Sequence, residues 1–307
     1  MGASRTVLLA LSESPWLRAR APHWPFVKRA AARFMPGEDL DSALDAARAL
    51  RGSERIDAVL TRLGENVTDA AQADAVRDHY LDVLARIAAS GARCELSVKL
   101  TQLGLDIDPE RCYANVHALA ERAQRHGAYV WIDMEQHAYL ERTLAIFRRV
   151  VAEFPDAGVC LQAYLYRTRD DLQSLLPLGG GVRLVKGAYR EPATVAFPKK
   201  SDVDANYLAL AGRMLQARSG RTVFGTHDAQ MIGAIAQSAE RSRASRDAFE
   251  FHLLYGIQRA LQSRLARNGY RVRVLISYGD EWFAWYMRRL AERPANVLFA
   301  VRALLGG

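Results

Sequence analysis

The sequence predicts an α/β fold, and within that class a (βα)8 barrel. Three observations predict it. Eight short apolar runs of strand length follow one another along the chain. Helical patterns stand between most of them. The alternation occupies roughly 250 residues, the size of such a barrel. The competing doubly wound sheet wants a G-x-G-x-x-G turn after its first strand, and none stands there.

Residues 1–52 read as an N-terminal helical segment and 53–307 as the catalytic barrel domain. In 26–34 and again in 39–49, apolar groups share one helical face and basic groups the other, with Gly37 and Gly52 as stops. Basic amphipathic helices of this kind lie on a membrane or, more often, pack on a core. The expected strands are 57–63, 95–100, 129–133, 159–164, 182–186, 222–226, 249–254 and 272–277. The expected helices between them are 68–89, 109–126, 139–153, 205–217, 229–240 and 258–268. Gly179-Gly180-Gly181 precedes a strand, the wrong side for a phosphate loop.

Half of the 307 residues are hydrophobic, enough for a sizeable core, yet no apolar run reaches the ~18 residues of a membrane span. Cys94, Cys112 and Cys160 form no CxxC pair, which points to a reducing cytoplasm without a disulfide framework. The 42 basic and 34 acidic residues give a net charge of +8. The arginines are scattered over helical faces, so a solvated surface is favoured and nucleic-acid binding is not expected.

Chemistry in a barrel sits where strands end and βα loops begin. The run Val182, Leu184, Val185 ends in Lys186, Gly187, Ala188, Tyr189, Arg190 and Glu191, a buried strand opening into a polar loop. The other strand ends supply Glu65, Lys99, Asp133, Gln162 and Thr226-His227-Asp228, with Glu250 and His252 inside the seventh strand. Any one of these alone reads as a cap or a loop residue, and Asp133 and Asp228 are well placed to cap. Together they call for a polar ligand larger than one metal ion.

After the last strand, a helical pattern places Glu281, Trp285, Arg288, Arg289 and Glu292 on one stripe. Paired guanidinium groups beside aromatic rings suit a carboxylate. Asp133, Glu135 and His137 raise a metal site, but that spacing does not put three side chains on one helical face. Lys99 or Lys186 as a Schiff-base lysine in a barrel lyase is the other open reading.

The motifs resemble those of proline dehydrogenases, flavin enzymes that oxidise L-proline to Δ1-pyrroline-5-carboxylate, and look like the short bacterial monofunctional form. They are SVKL (97–100), WIDMEQ (131–136), LQAYL (161–165), VRLVKGAYRE (182–191), GTHD (225–228), FEFHLLYG (249–256) and WYMRRLAERP (285–294). The resemblance runs from about Leu63 to the C-terminus. It implies a distorted, TIM-like barrel with the final helix over its mouth, and non-covalent FAD. It implies that Gln162, Arg183, Val185, Lys186, Gly187, Ala188, Thr226, His227 and Glu250 line the flavin, with Lys200 near its phosphates. Lys99, Arg288 and Arg289 would hold the substrate carboxylate, and Asp133 would orient Lys99. Leu184 and Tyr189 would border the proline ring, and Glu65 would pair with an active-site arginine to close the site.

The resemblance further implies hydride transfer from the carbon beside the ring nitrogen to the flavin. Electrons would pass to a membrane quinone, from a cytoplasmic protein peripheral on the inner face of the membrane. A pyrroline-5-carboxylate dehydrogenase would act downstream. The sequence departs from the family pattern at Leu275 and Trp285, where tyrosines are usual. Both border the substrate ring, so they bear on substituted prolines such as hydroxyproline rather than on reaction class. A catalytically inert barrel that only binds an anion is the remaining alternative.

Overall fold

Eight parallel strands close on themselves in sequence order. They are β1 (Asp57–Arg62), β2 (Cys94–Val98), β3 (Val130–Ile132), β4 (Ala157–Gln162), β5 (Gly181–Val185), β6 (Thr222–Gly225), β7 (Phe249–Leu254) and β8 (Arg271–Tyr278). The computed structural model describes residue 16 and residues 20–64 and 67–291. Each expected strand is present within a few residues of its expected bounds. β3 is the shortest.

The helices are α1 (Pro25–Ala31), α2 (Leu40–Glu54), α3 (Ala70–Ser90), α4 (Pro109–Arg125), α5 (Leu140–Glu153), α6 (Thr168–Leu175), α7 (Lys200–Ala217), α8 (Ala229–Arg241), α9 (Arg259–Arg267) and α10 (Trp282–Ala291). Four begin at an aspartate whose carboxylate accepts an otherwise orphaned backbone N–H. Asp39, Asp69, Asp108 and Asp228 take those of Ser42, Gln72, Glu110 and Gln230 at 2.7–3.1 Å. Helix α6 is absent from the sequence reading. It is short, and its buried side is only Thr168, Asp171, Leu172 and Leu175, too few positions for a visible period.

Strand side chains alternate between two cores. Outward residues such as Leu60, Leu96, Ile132, Leu161, Leu184, Phe224 and Val274 pack against the helices. Inward ones include Val59, Tyr129, Trp131, Val223 and Leu275. The glycines of β4 and β5 make room for those interior rings. A Cβ on Gly158 would lie 2.5 Å from Trp131 Cζ3, and one on Gly181 would lie 2.9 Å from Trp131 Cη2. Of the three glycines at the start of the fifth strand, Gly181 is the one that clears the barrel interior, while Gly180 gives room to Val151 and Phe147.

Helix α2 packs on β1, β8 and α9, the outer-ring slot that an eighth barrel helix would fill. Its Leu40, Ala43, Leu44 and Ala47 belong to the main core. Helix α10 therefore lies elsewhere. Trp282, Phe283, Tyr286 and Met287 pack on Leu63, just past the C-terminal end of β1, and on Val27, Ala31, Phe34 and Met35. Glu38 ties the N-terminal arm, residues 20–39 with α1, to this end of the barrel, accepting from Trp282 Nε1 at 2.9 Å and, through its carbonyl, from Gly279 N at 2.8 Å.

Candidate active site

Arg183 stands in the middle of β5 and is only 4% exposed. Its Nη2 donates to Ser97 Oγ at 2.7 Å and to the Asp133 carboxylate, and Ser97 Oγ itself donates to Asp133 at 2.9 Å. Its Nε donates to Cys160 Sγ at 3.0 Å. A buried cation needs such pairing, because removing it from water unpaired costs several kcal/mol, on the order of the Born penalty after relaxation. Burial works against its charge, but Cys160 and Asp133 beside it raise its pKa.

One strand away, Gln162 ends β4. Its Nε2 donates to the Met134 and Glu135 carbonyls at 3.3 and 3.2 Å, while its buried Oε1 has no hydrogen-bond partner among the described residues. After β5, Lys186 Nζ lies 2.6 Å from Asp204 Oδ1 and 3.0 Å from Asp228 Oδ2. Lys200 joins this cluster by pairing with Asp204 and lies 3.9 Å from Asp228. Burial opposes ionisation of both aspartates, but Lys186 overrides it and holds each below the usual carboxylate range. Asp228 caps α8 as its position suggested, and Thr226 Oγ1 accepts from Asp228 N at 3.2 Å.

Gly187 has φ +108, and a Cβ there would strike the Tyr164 ring. Only glycine lets the β5 loop lie against that ring. Glu191 then anchors the loop, accepting from His137 N at 2.8 Å and pairing with the His137 ring. Lys99, Val185, Lys186, Tyr189 and His227 are half-buried around this C-terminal face, and Ala188 is exposed. Leu275 lies on the barrel interior, and Trp285 is half-buried on α10. Glu65 lies outside the described residues, as do the side chains of Arg288 and Arg289.

Three expectations need correction. Leu184 does not border the site, because alternation along β5 turns it outward into the helix-facing core while Arg183 points inward. Glu250 is not at the mouth. It is the second residue of β7, at the barrel floor, where Arg221 grips it with Nε and Nη2 at 2.8 and 2.7 Å and Arg273 Nε adds a bond at 3.0 Å. Asp133 makes no ion pair with Lys99; Arg183 and Ser97 both bond its Oδ1.

Asp133, Glu135 and His137 diverge, since Glu135 accepts from Thr101 Oγ1 at 2.7 Å and His137 pairs with Glu191. No group of three or more potential metal ligands occurs among the described residues. Sequence reasoning missed the floor network of Glu95, Arg221 and Arg273, whose signal was arginine standing just before or within a strand. It also missed Ser97, Trp131 and Cys160, buried residues that surround Arg183.

A closed barrel with cations, carboxylates and an unpartnered amide oxygen near the C-terminal strand ends has the features of a (βα)8 enzyme. The family model described as proline dehydrogenase matches residues 43–302. The chain is 38% identical over 304 residues to proline dehydrogenase 2 of Bacillus subtilis subsp. natto, covering 99% of each. It is 38% identical over 310 residues to proline dehydrogenase of Deinococcus radiodurans, covering 99% of this chain and 98% of that one. Proline utilization A (PutA) of Bdellovibrio bacteriovorus superposes with a TM-score of 0.81 at 25% identity, covering 87% of this chain and 33% of that larger one. The chain belongs to the proline dehydrogenase family.

Proposed function

We propose that this protein oxidises L-proline to Δ1-pyrroline-5-carboxylate with non-covalent FAD, the first step of proline catabolism. The observation that carries the reading is the convergence of Asp133, Gln162, Arg183 and Lys186 at the C-terminal face of a barrel of this family. The donor set fits a flavin. Gln162 Oε1 is a buried acceptor in want of a donor, and Lys186 and Lys200 supply cations beside the β5 loop. When bound, FAD supplies the hydride acceptor.

The chain's own residues orient and exclude water. Lys99, Arg288 and Arg289 hold the substrate carboxylate, which places the ring carbon that loses hydride. Arg183 would present fixed positive charge to a bound flavin and so favour its reduction. Tyr189, Leu275 and Trp285 border the substrate ring, and Glu65 closes the site against an arginine. The proline nitrogen need only have lost its proton, so no strong base is required.

Electrons leave to a membrane quinone. No helix among the described residues is long and apolar enough to cross a membrane. The arm supports peripheral contact instead: Lys28, Arg29 and Arg33 are exposed while Val27 and Ala31 are buried. Arg20 lies 5.0 Å from the ring of Trp16, which is 54% exposed. A basic face with an interfacial tryptophan suits an anionic bilayer. The product, a cyclic imine in equilibrium with its aldehyde, calls for a dehydrogenase downstream. The test is turnover of L-proline with an artificial electron acceptor and identification of the imine. Flavin-loaded protein that produces none would overturn the reading.

A further inference from the structure

We infer that Cys160 and Trp131 are positioning residues that fix the Arg183 guanidinium for the flavin, an inference that rests on the reading above. Cys160 and Arg183 are register partners on β4 and β5, so their side chains lie side by side on the inward face. Sγ of Cys160 is the acceptor for Nε, at 3.0 Å. Ser97 and Asp133 take Nη2. Trp131 lies across the guanidinium face, with Arg183 Cζ 5.0 Å from the ring centre. One edge, one end and one face of a planar fork are thereby held, which leaves it a single orientation.

Trp131 can reach this place because two neighbouring strands give way. It is paired with Gly158 on β4, and Gly158 pairs with Gly181 on β5. Neither glycine carries a Cβ that would block the indole. The far edge of the ring is pinned by Nε1 donating to Glu95 Oε2 at 2.8 Å, and Arg221 Cζ lies 5.4 Å from the ring centre. The indole therefore carries the rigidity of the floor network up to Arg183.

The choice of sulfur has a consequence. Burial raises the pKa of the Cys160 thiol, so it stays neutral. A neutral acceptor holds Nε without cancelling the guanidinium charge, whereas a second carboxylate would. Arg183 then keeps positive charge to present to the flavin, with the Asp133 carboxylate as the counter-charge bonded to it.

The test compares Cys160→Val, which is apolar and loses the acceptor, with Cys160→Ser, which keeps an acceptor. Three quantities are read: Arg183 Nε–H exchange protection by NMR of Arg-labelled apoprotein, the flavin midpoint potential, and the rate of flavin reduction by proline. Cys160→Val should lose the protection, lower the potential and slow reduction roughly tenfold, about the worth of one hydrogen bond to a charged group. KM should stay near that of the parent, and Cys160→Ser should restore most of each loss. Wild-type protection, potential and rate in Cys160→Val would overturn the inference. So would a serine variant as impaired as the valine one, because sulfur packing rather than acceptance would then matter. Should the protein take up no flavin, the functional reading fails, while Nε–H protection in the apoprotein still decides the geometry.

Discussion

Gly181→Ala should be costly although it adds a single methyl group at a buried strand start. The new Cβ would fall inside the van der Waals shell of Tyr129 Oη and 2.9 Å from Trp131 Cη2. Both rings are enclosed by the barrel, so neither can swing to solvent. Overpacking of this kind costs about 1–3 kcal/mol, and displacing Tyr129 adds about 0.5–1.5 kcal/mol for its hydrogen bond. That bond runs from Tyr129 Oη to the Ala157 carbonyl at 2.9 Å. At roughly 2 °C per kcal/mol for a chain of this length, the sum of about 2–4 kcal/mol predicts a fall in Tm of about 4–8 °C. Differential scanning calorimetry measures it. Adding Tyr129→Phe removes the struck oxygen, so the double variant should recover part of the loss instead of adding to it. An unchanged Tm in Gly181→Ala, or strict additivity in the pair, would refute the account of the barrel interior.

Glu250→Gln should cost about 1–3 kcal/mol, because it leaves the half-buried Arg221 and Arg273 with Glu95 as their remaining shared counter-charge. Burial opposes ionisation of Glu250, but the His252 ring 3.5 Å away and the Arg221 guanidinium hold its pKa well below the usual range. A depressed pKa contributes stability that is complete above the ordinary value of 4.5 and is lost as pH falls through the folded value. The Tm gap between parent and variant should therefore narrow below pH 4.5, and a gap that widens there would contradict the assignment. Arg288→Met or Arg289→Met should lower kcat/KM by about 2–5 kcal/mol with flavin content unchanged, and lysine should rescue only partly. Loss of flavin with proline affinity intact would reverse those roles. Leu275 offers room but no hydrogen-bonding atom, so an unpaired hydroxyl beside it costs about 1–3 kcal/mol and proline should exceed 4-hydroxyproline in kcat/KM by roughly tenfold or more. Leu275→Tyr should keep or tighten that ratio, and equal turnover of the two substrates would move the assignment to a substituted proline.

The barrel was legible because parallel strands buried on both faces read as plain apolar runs, and β7 is found at the expected 249–254. The arm was legible in part. The charge pattern of 26–34 raised membrane and core as alternatives, and the structure buries Val27 and Ala31 while leaving Arg29 and Arg33 exposed. Strand ends such as Lys186 could be picked out because a cation after an apolar run interrupts the pattern. Facing direction was harder. Leu184 and Arg183 are adjacent in sequence and sit on opposite faces, which depends on where alternation is phased. Glu250 belongs to the floor because its strand runs four residues further toward the mouth. Cys160 and Trp131 carried no signal, since a buried thiol and a buried indole look like core until Arg183 is placed beside them.

The central claim is that proline reduces a flavin held by this barrel without a covalent bond. The most direct measurement is anaerobic mixing of purified protein with L-proline while the flavin band in the blue is recorded, followed by acid precipitation. The account predicts a yellow protein whose band bleaches on mixing and whose supernatant then contains FAD. A colourless protein that cannot be reconstituted with FAD, or a flavin that stays oxidised under saturating proline, would contradict it.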